Sequence, residues 1–370
     1  MMKHVFGPVP SRRLGRSLGV DPLPLKTCNW NCVYCQLGRT KPLVNERKDY
    51  FSPEEVVAQV QTSLAAHSPG DIDWITFVGS GEPLLHASLG RMIHDIKALT
   101  HLPIAVITNG TLLYQGEIRG ELAEADAVMP SLDAGTPKLY RKINRPHPDV
   151  TFERLLSGLI AFRQGYRGWL WLETMLVRGL NDTEQALGDL AEVVRRIRPD
   201  EVHINLPTRP PAEPWVHPPV QSGLTRAAAI LGGIAQVVQP AEGTFDLSGD
   251  TNIVDAIVGT ITRHPMRQEE LEKALAKWTP GQVGKALSEL EASGRAQLVE
   301  RYGIRYWSAE PSFYPDKARS EKASPGHRTR KRREKIANGR RLVRWFMAHL
   351  MRHEIERPYP RHDARQHRRF

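Results

Sequence analysis

The chain has 370 residues, 40% of them apolar, with a formal net charge of +10; that length suits two domains with attachments. No run approaches the roughly 18 apolar residues of a membrane span, and the first ten residues carry Lys3, His4 and two prolines where a secretory signal needs an apolar stretch. The three cysteines, an odd number, exclude a disulfide framework, and their crowding at Cys28, Cys32 and Cys35 points to a metal or cluster site in a reducing cytoplasm.

Short β-type apolar runs alternate with helical patterns from residue 72 to 240. A first strand is expected over 17–22, and later ones over 73–79, 102–110, 125–133, 169–177, 201–207 and, more weakly, 234–240. Helices are expected over 53–67, 89–99 and 183–197, the first opened by Ser52 as cap, Pro53, and the acids Glu54 and Glu55. This alternation is the βαβ signature of a parallel sheet covered by helices. About six strand–helix units suit a partial barrel as well as an open sheet. Polar residues gather where the strands end: Ser80-Gly81-Glu82, Thr108-Asn109, Ser131 with Asp133, Glu173, and Asn205. In parallel α/β folds that rim carries the ligand site.

Composition changes after residue 245. The stretch 250–308 reads as three helices and a β-hairpin turning at Tyr302-Gly303, with Ile253, Ile257 and Ile261 at helical spacing and a Thr279-Pro280 start to the third helix. That order resembles a winged helix-turn-helix. Its third helix would expose Lys285, Glu289 and Glu291, which is not a strongly basic face. From residue 311 the pattern fades into a polar, basic tail, with an amphipathic helix expected over 339–357 that puts Leu342, Phe346 and Leu350 on one face. Residues 316–370 hold 18 basic and 6 acidic side chains, net +12, and the remainder is net −2. The basicity is therefore an attachment. Trp345, Phe346 and Tyr359 among its arginines suit RNA or DNA contact.

The sharpest local signal is Cys28-Asn29-Trp30-Asn31-Cys32-Val33-Tyr34-Cys35. Three thiolates so spaced can close around one iron–sulfur cluster, whose ordinary complement is four. No fourth cysteine exists in the chain, so one iron must take another ligand or stay open, and an open iron is suited to binding a substrate or cofactor. The alternative is zinc held by three cysteines and a histidine, but no histidine lies close by in sequence.

This CxxxCxxC loop, with Tyr34 before its last cysteine, resembles the signature of the radical S-adenosylmethionine (SAM) superfamily. "GPVPSRRLGRSLGVDPLPLKTCNWNCVYCQLG", "FVGSGEP", "TNG", "SLDAGTPKLYRKINRPH", "LETMLVRGLND" and "HINLPTRPPAEPW" are similar to iron–sulfur oxidoreductases grouped with the tRNA wyosine-base synthases. The resemblance implies an α/β fold, a partial (β/α)6 TIM-like barrel expected over 1–245; the patterns above add a winged-helix-like domain over 246–310 and a basic tail over 311–370. It implies that Cys28, Cys32 and Cys35 hold a 4Fe–4S cluster whose open iron SAM chelates. Gly79, Gly81 and Glu82 would then meet the methionine ammonium, with Thr108 and Asn109 lining the cofactor. Arg145 would meet the methionine carboxylate. Ser131, Asp133, Glu173, Asn205 and Leu206 would complete the ribose and adenine contacts, and Tyr34 would sit against the adenine.

One departure stands out. Archaeal-type wyosine synthases carry further cysteines for a second cluster, and this chain has none to spare. Arg12, Arg13, Arg16 and Arg209 are candidates for an anionic substrate, or equally for ion pairs within the fold. The expected function is reductive SAM cleavage and hydrogen abstraction on RNA, with tRNA foremost, fed by a low-potential donor such as flavodoxin or ferredoxin. The alternatives are the same chemistry on a protein, peptide or small molecule, and a non-catalytic iron–sulfur sensor acting through the winged helix.

Overall fold

The computed structural model describes residues 3–11, 13–238, 252–310 and 312–315. The chain opens on a hairpin, β1 (Val5–Ser11) antiparallel to β2 (Gly15–Val20). Residues 21–52 then form no helix or named strand, and α1 (Pro53–Ala65) follows. Next come β3 (Trp74–Phe77), α2 (Leu89–Leu99), β4 (Ile104–Thr108), α3 (Gly116–Glu121), β5 (Ala127–Pro130), α4 (Pro137–Ile143) and α5 (Phe152–Gly165). The unit closes with β6 (Trp169–Met175), α6 (Glu184–Ile197), β7 (Glu201–Asn205), α7 (Gln221–Leu231) and β8 (Ala235–Val237).

The strand order is the chain order, and β2 through β8 are all parallel. Each new strand is laid beside the last by a helical crossover, so the sheet winds in one direction. Among the described residues β1 and β8 do not pair, which leaves a partial TIM-like barrel with an opening.

The helix-covered face of the sheet is apolar, as buried parallel strands require, while the inner face mixes apolar residues with Ser17, Thr76, Glu173 and His203. Ile104, Val106, Val128, Leu170, Val202 and Ile204 face the helices and join their buried stripes. The alternate residues Ala105, Ala127, Met129 and Trp171 face inward around Leu14, which the β1–β2 hairpin inserts like a plug. The helices start where local chemistry directs. Ser52, Thr136, Thr151 and Thr183 each accept a backbone N–H of the first turn, an interaction typically worth about 1 kcal/mol. Pro53 and Pro137 occupy the first turn, where no N–H is needed.

A second unit comprises α8 (Ile253–Arg263), α9 (Gln268–Ala274), α10 (Pro280–Ala292), β9 (Ala296–Arg301) and β10 (Ile304–Ala309). It has its own core of Ile257, Ile261, Leu271, Val283, Leu287 and Trp307. Its hairpin turns at Tyr302 and Gly303, both with positive φ (60° and 73°), as two-residue turns between twisted strands favour. The unit is fastened to the first through polar contacts. Arg263 Nε donates to Asp21 Oδ2 at 2.9 Å, Arg209 Nη1 to the Pro265 carbonyl at 2.7 Å, and Arg301 Nε to the Pro211 carbonyl at 3.1 Å.

The sequence pattern does not foretell β1. Pro8 and Pro10 argue against a strand, yet β1 is an edge strand, where missing N–H donors are tolerated. The first strand begins two residues earlier than expected, at Gly15. The expected boundary at 245/246, Arg12, the basic tail from residue 316 onward and its helix over 339–357 lie outside the described residues. No described helix is long and apolar enough to cross a membrane.

Leu14→Ala removes the plug from a fully packed interior. It should destabilise the protein by about 2–5 kcal/mol, read as a lower urea midpoint at unchanged m-value.

Candidate functional site

The cysteines lie on the irregular segment between β2 and α1, at the rim where the parallel strands end. This segment borrows its backbone hydrogen bonds from the rim. Glu82 N donates to Thr27 O (2.8 Å) and Val44 N to Cys28 O (3.0 Å). Asn31 N donates to Asn144 O (3.0 Å), Val33 N to Ile143 O (2.9 Å), His147 N to Asn29 O (2.8 Å) and Glu213 N to Val33 O (3.0 Å). Gly81 explains its own identity here. A Cβ on it would stand 1.9 Å from the Thr27 carbonyl oxygen, a contact only a missing side chain allows. Thus the glycine in "GSGEP" is demanded first by the cysteine loop lying on it.

Each sulfur has an N–H neighbour. Lys26 Nζ lies 3.2 Å from Cys35 Sγ, the Trp30 amide 3.4 Å from Cys28 Sγ, and Asn144 Nδ2 3.6 Å from Cys32 Sγ. Burial pushes the Cys28 thiol up to about 12, and the Cys32 thiol well above its ordinary value. Both are therefore protonated at neutral pH until a metal displaces the proton. No three His, Cys, Asp or Glu side chains among the described residues converge on a single-ion site.

Two buried carboxylates organise the rim. Glu82 accepts from Thr108 Oγ1 (2.5 Å) and the Leu84 amide (3.0 Å) through one oxygen, and from the Asn109 amide (2.6 Å) through the other. Burial nevertheless pushes its carboxyl up to about 7. Asn109 passes the connection on, with Nδ2 2.7 Å from Asn29 Oδ1 inside the cysteine motif. Asp133 accepts from Tyr34 OH (2.5 Å), Asn144 Nδ2 (2.6 Å) and the Met175 amide (2.8 Å). Burial raises its carboxyl against the pull of these donors.

Several expected site residues have partners within the protein. Asp133, placed against ribose hydroxyls by the sequence, is 2% exposed and engaged by three protein donors. Tyr34, placed against adenine, gives its hydroxyl to Asp133 and packs beside Val33, Ile143, Val177 and Val216. Arg145, expected on the methionine carboxylate, pairs with Glu213 at 2.5 Å and remains partly exposed. Glu173 pairs with Arg13 inside the barrel, so Arg13 already has its anion. Arg16 is held by Asp73, 3.3 Å away, and Arg209 by Pro265. Thr108 and Asn109 stand at the rim as expected, spent on Glu82 and the cysteine loop. The side chains of Ser131 and Asn205 take no partner among the described residues, and both are only half-buried. Leu206 is buried beside them in sequence. Gly79 lies within contact range of the Gly81 backbone.

Sequence reasoning missed four residues that hold the site together: Asp21, Asn29, Asn144 and Glu213. Asp21 accepts from the Ser80 amide (3.0 Å), the Ser80 hydroxyl (2.7 Å) and Arg263, joining the rim to the second unit. Glu213 receives Arg39 through two bonds of 2.7 and 2.8 Å as well as Arg145. Burial alone would raise its carboxyl, but the two guanidinium groups bring it below the ordinary range. All four lie in quoted motifs, yet a single Asn or Asp there reads as a turn residue.

The sequence profile of the Radical SAM superfamily matches residues 23–193, the stretch that carries the cysteine loop and the first rim motifs. A UPF0026 protein of Methanocaldococcus jannaschii is 36% identical over 281 residues, covering 75% of this chain and 87% of that one. The chain belongs to the radical SAM superfamily. A UPF0026 protein of Synechocystis is 39% identical over 207 residues, 56% of this chain and 76% of its own. A solved structure of TYW1 with a lysine–pyruvate adduct bound superposes with a TM-score of 0.39 at 15% identity, over 80% of each chain.

The donor set suits the cluster that radical SAM proteins typically bind. Three sulfurs on one loop, each beside an N–H donor, match anionic thiolate ligands.

Two outcomes follow from this packing. Gly81→Ala should prevent the cysteine loop from seating, seen as loss of about three-quarters or more of the iron and sulfide taken up on reconstitution. Glu213→Gln should cost about 2 kcal/mol at pH 7, less than a fully buried pair because the arginines are partly exposed. The Glu213 carboxyl is lowered by folding, so its stabilisation is present at neutral pH and fades as pH falls through the folded value. The gap in melting temperature between wild type and Glu213→Gln should therefore shrink as pH drops from about 5 to about 3.

Proposed function

We propose that this protein reductively cleaves SAM at a 4Fe–4S cluster and uses the resulting radical for hydrogen abstraction in RNA, with tRNA the first substrate to test. The observation that carries the chemistry is the rim-mounted loop of three cysteines in a chain without a fourth, each sulfur beside an N–H donor. When bound and reduced, the cluster supplies the electron that splits SAM into methionine and a 5′-deoxyadenosyl radical.

The chain's own residues do the rest. Cys28, Cys32 and Cys35 hold three irons and leave one for SAM. Lys26, the Trp30 amide and Asn144 offset the charge on the sulfurs. Glu82, with Oε2 holding one donor, retains acceptor capacity for the methionine ammonium. Ser131 and Asn205 are the rim side chains free to meet ribose or adenine.

The substrate assignment rests on charge. The final 55 residues are net +12 while the remainder is net −2, so a polyanion is the fitting partner for the tail. We read the second unit as a winged helix that docks rather than one that reads bases. Lys285 on α10 stands 4.0 Å from Glu289, so the helix face carries acid beside base and no strong positive patch.

The test is anaerobic quantification of 5′-deoxyadenosine after dithionite reduction, with and without bulk tRNA. The wild type should release it, Cys32→Ala should not, and tRNA should accelerate release in a way that fades between 50 and 200 mM salt. Absence of 5′-deoxyadenosine from the cluster-loaded wild type refutes the chemistry. Release unmoved by tRNA refutes the RNA assignment and leaves proteins, peptides and small molecules.

A further inference from the structure

Helix α4 stands directly behind the cysteine loop. Its inner side is Tyr140 and Ile143, 2% and 0% exposed. The Trp30 indole N–H donates to the Tyr140 hydroxyl at 2.9 Å, with the two rings edge to face. The Ile143 carbonyl takes the Val33 amide, and Asn144, which ends the helix, reaches Cys32 Sγ. The outer side of the same short helix is cationic. Lys138, Arg141 and Lys142 are all exposed, and none has an ion pair or hydrogen bond among the described residues. The helix itself contains no acid.

Helix electrostatics account for only part of this pattern. Arg141 and Lys142 sit in the last turn, where cations suit the dipole; Lys138 sits in the first, where they do not. The face continues into an open hollow of about 550 Å³ whose lining includes Asn31, Arg141, Arg145 and His147, with Glu153 as its one carboxylate. Asn31 precedes Cys32 in the chain.

We infer that the exposed face of α4 and this adjoining hollow form the docking surface for an acidic one-electron donor protein of the flavodoxin kind. The inference rests on the cluster reading above. Charge calls for an anionic partner, and the wall behind it selects an electron donor over a nucleic-acid substrate. The three cations are unneutralised and face outward, which steers an anionic partner to this side. The wall between them and the cysteines is closed: Trp30, Tyr140, Ile143 and Asn144 are each 2% exposed or less. A substrate molecule has no passage there, whereas an electron needs only packed, bonded atoms, and the wall touches the sulfurs of both Cys28 and Cys32. One electron leaves the donor and enters the cluster, and no bond forms or breaks.

The test uses the full chain carrying Lys138→Glu, Arg141→Glu and Lys142→Glu together, beside a control with Lys138→Arg and Lys142→Arg. Binding of oxidised flavodoxin is measured by calorimetry on cluster-free and cluster-loaded protein at low and high salt. Cluster reduction is followed by absorbance, with either reduced flavodoxin or dithionite as donor. We expect the charge reversal to weaken flavodoxin binding about tenfold or more, to abolish its salt dependence, and to slow flavodoxin-driven reduction by a similar factor. Dithionite-driven reduction stays at the wild-type rate, and the arginine control behaves as wild type. Unchanged flavodoxin affinity and rate in the reversed variant overturn the inference while leaving the cluster chemistry standing. Loss of bulk-tRNA binding with intact flavodoxin kinetics overturns it in favour of RNA. A wild type that loads no reducible cluster refutes the parent reading, and this one with it.

Discussion

Residues 21–52 carry the cysteines without a helix or strand of their own, so their backbone polar groups must be satisfied by neighbours. Much of the rim is built to supply those partners. The Thr27 carbonyl is met by Glu82, the Asn31 and Val33 amides by the end of α4, and the Val33 carbonyl by Glu213. A regular element would hold itself together wherever it was placed. This loop's shape depends on the strand ends it bonds to, which ties any cluster site to the folded sheet.

Buried carboxylates are the connectors, and their cost explains their surroundings. A carboxylate out of water needs several donors to remain tolerable. Glu82 and Asp133 each take three. Those donors come from β4, β6, α4 and the cysteine loop, so satisfying each acid also fixes the relative positions of the elements. Glu213 does the same for the segment after β7 through Arg39 and Arg145. Asp21 extends the scheme to the second unit, since Arg263 reaches back across the chain to it. The second unit is thus joined to the same rim. It also contributes Phe313, whose carbonyl takes the Arg39 amide at 2.7 Å, and Tyr314, whose hydroxyl donates to the Gln36 carbonyl just past Cys35.

The division of labour around the cysteines is consistent. The strand-end side presents Ser131 and Asn205, whose side chains have no protein partner among the described residues. The α4 side presents a closed apolar and hydrogen-bonded wall with cations outside it. Chemistry with SAM and a substrate suits the former, and delivery of charge suits the latter.

Much of this was legible in the sequence, for reasons that can be stated. The parallel strands show as runs such as Ile104–Thr108 because both faces are buried; the helix starts show as Ser52-Pro53 and Thr136-Pro137 because capping is local. The cysteine spacing, the missing fourth cysteine and the basic tail are facts of composition. Tertiary structure alone decided what the rim's polar residues touch. Asp133, Arg145 and Glu173 have the residue types that a ribose or a carboxylate would need, and the folded chain also offers them Asn144, Glu213 and Arg13. Hydrogen bonding and charge pairing recognise chemistry without regard to whether the partner is ligand or protein. Which partner stands within 3 Å depends on how the folded chain brings together residues such as Arg145 and Glu213, 68 positions apart, and no local pattern records that.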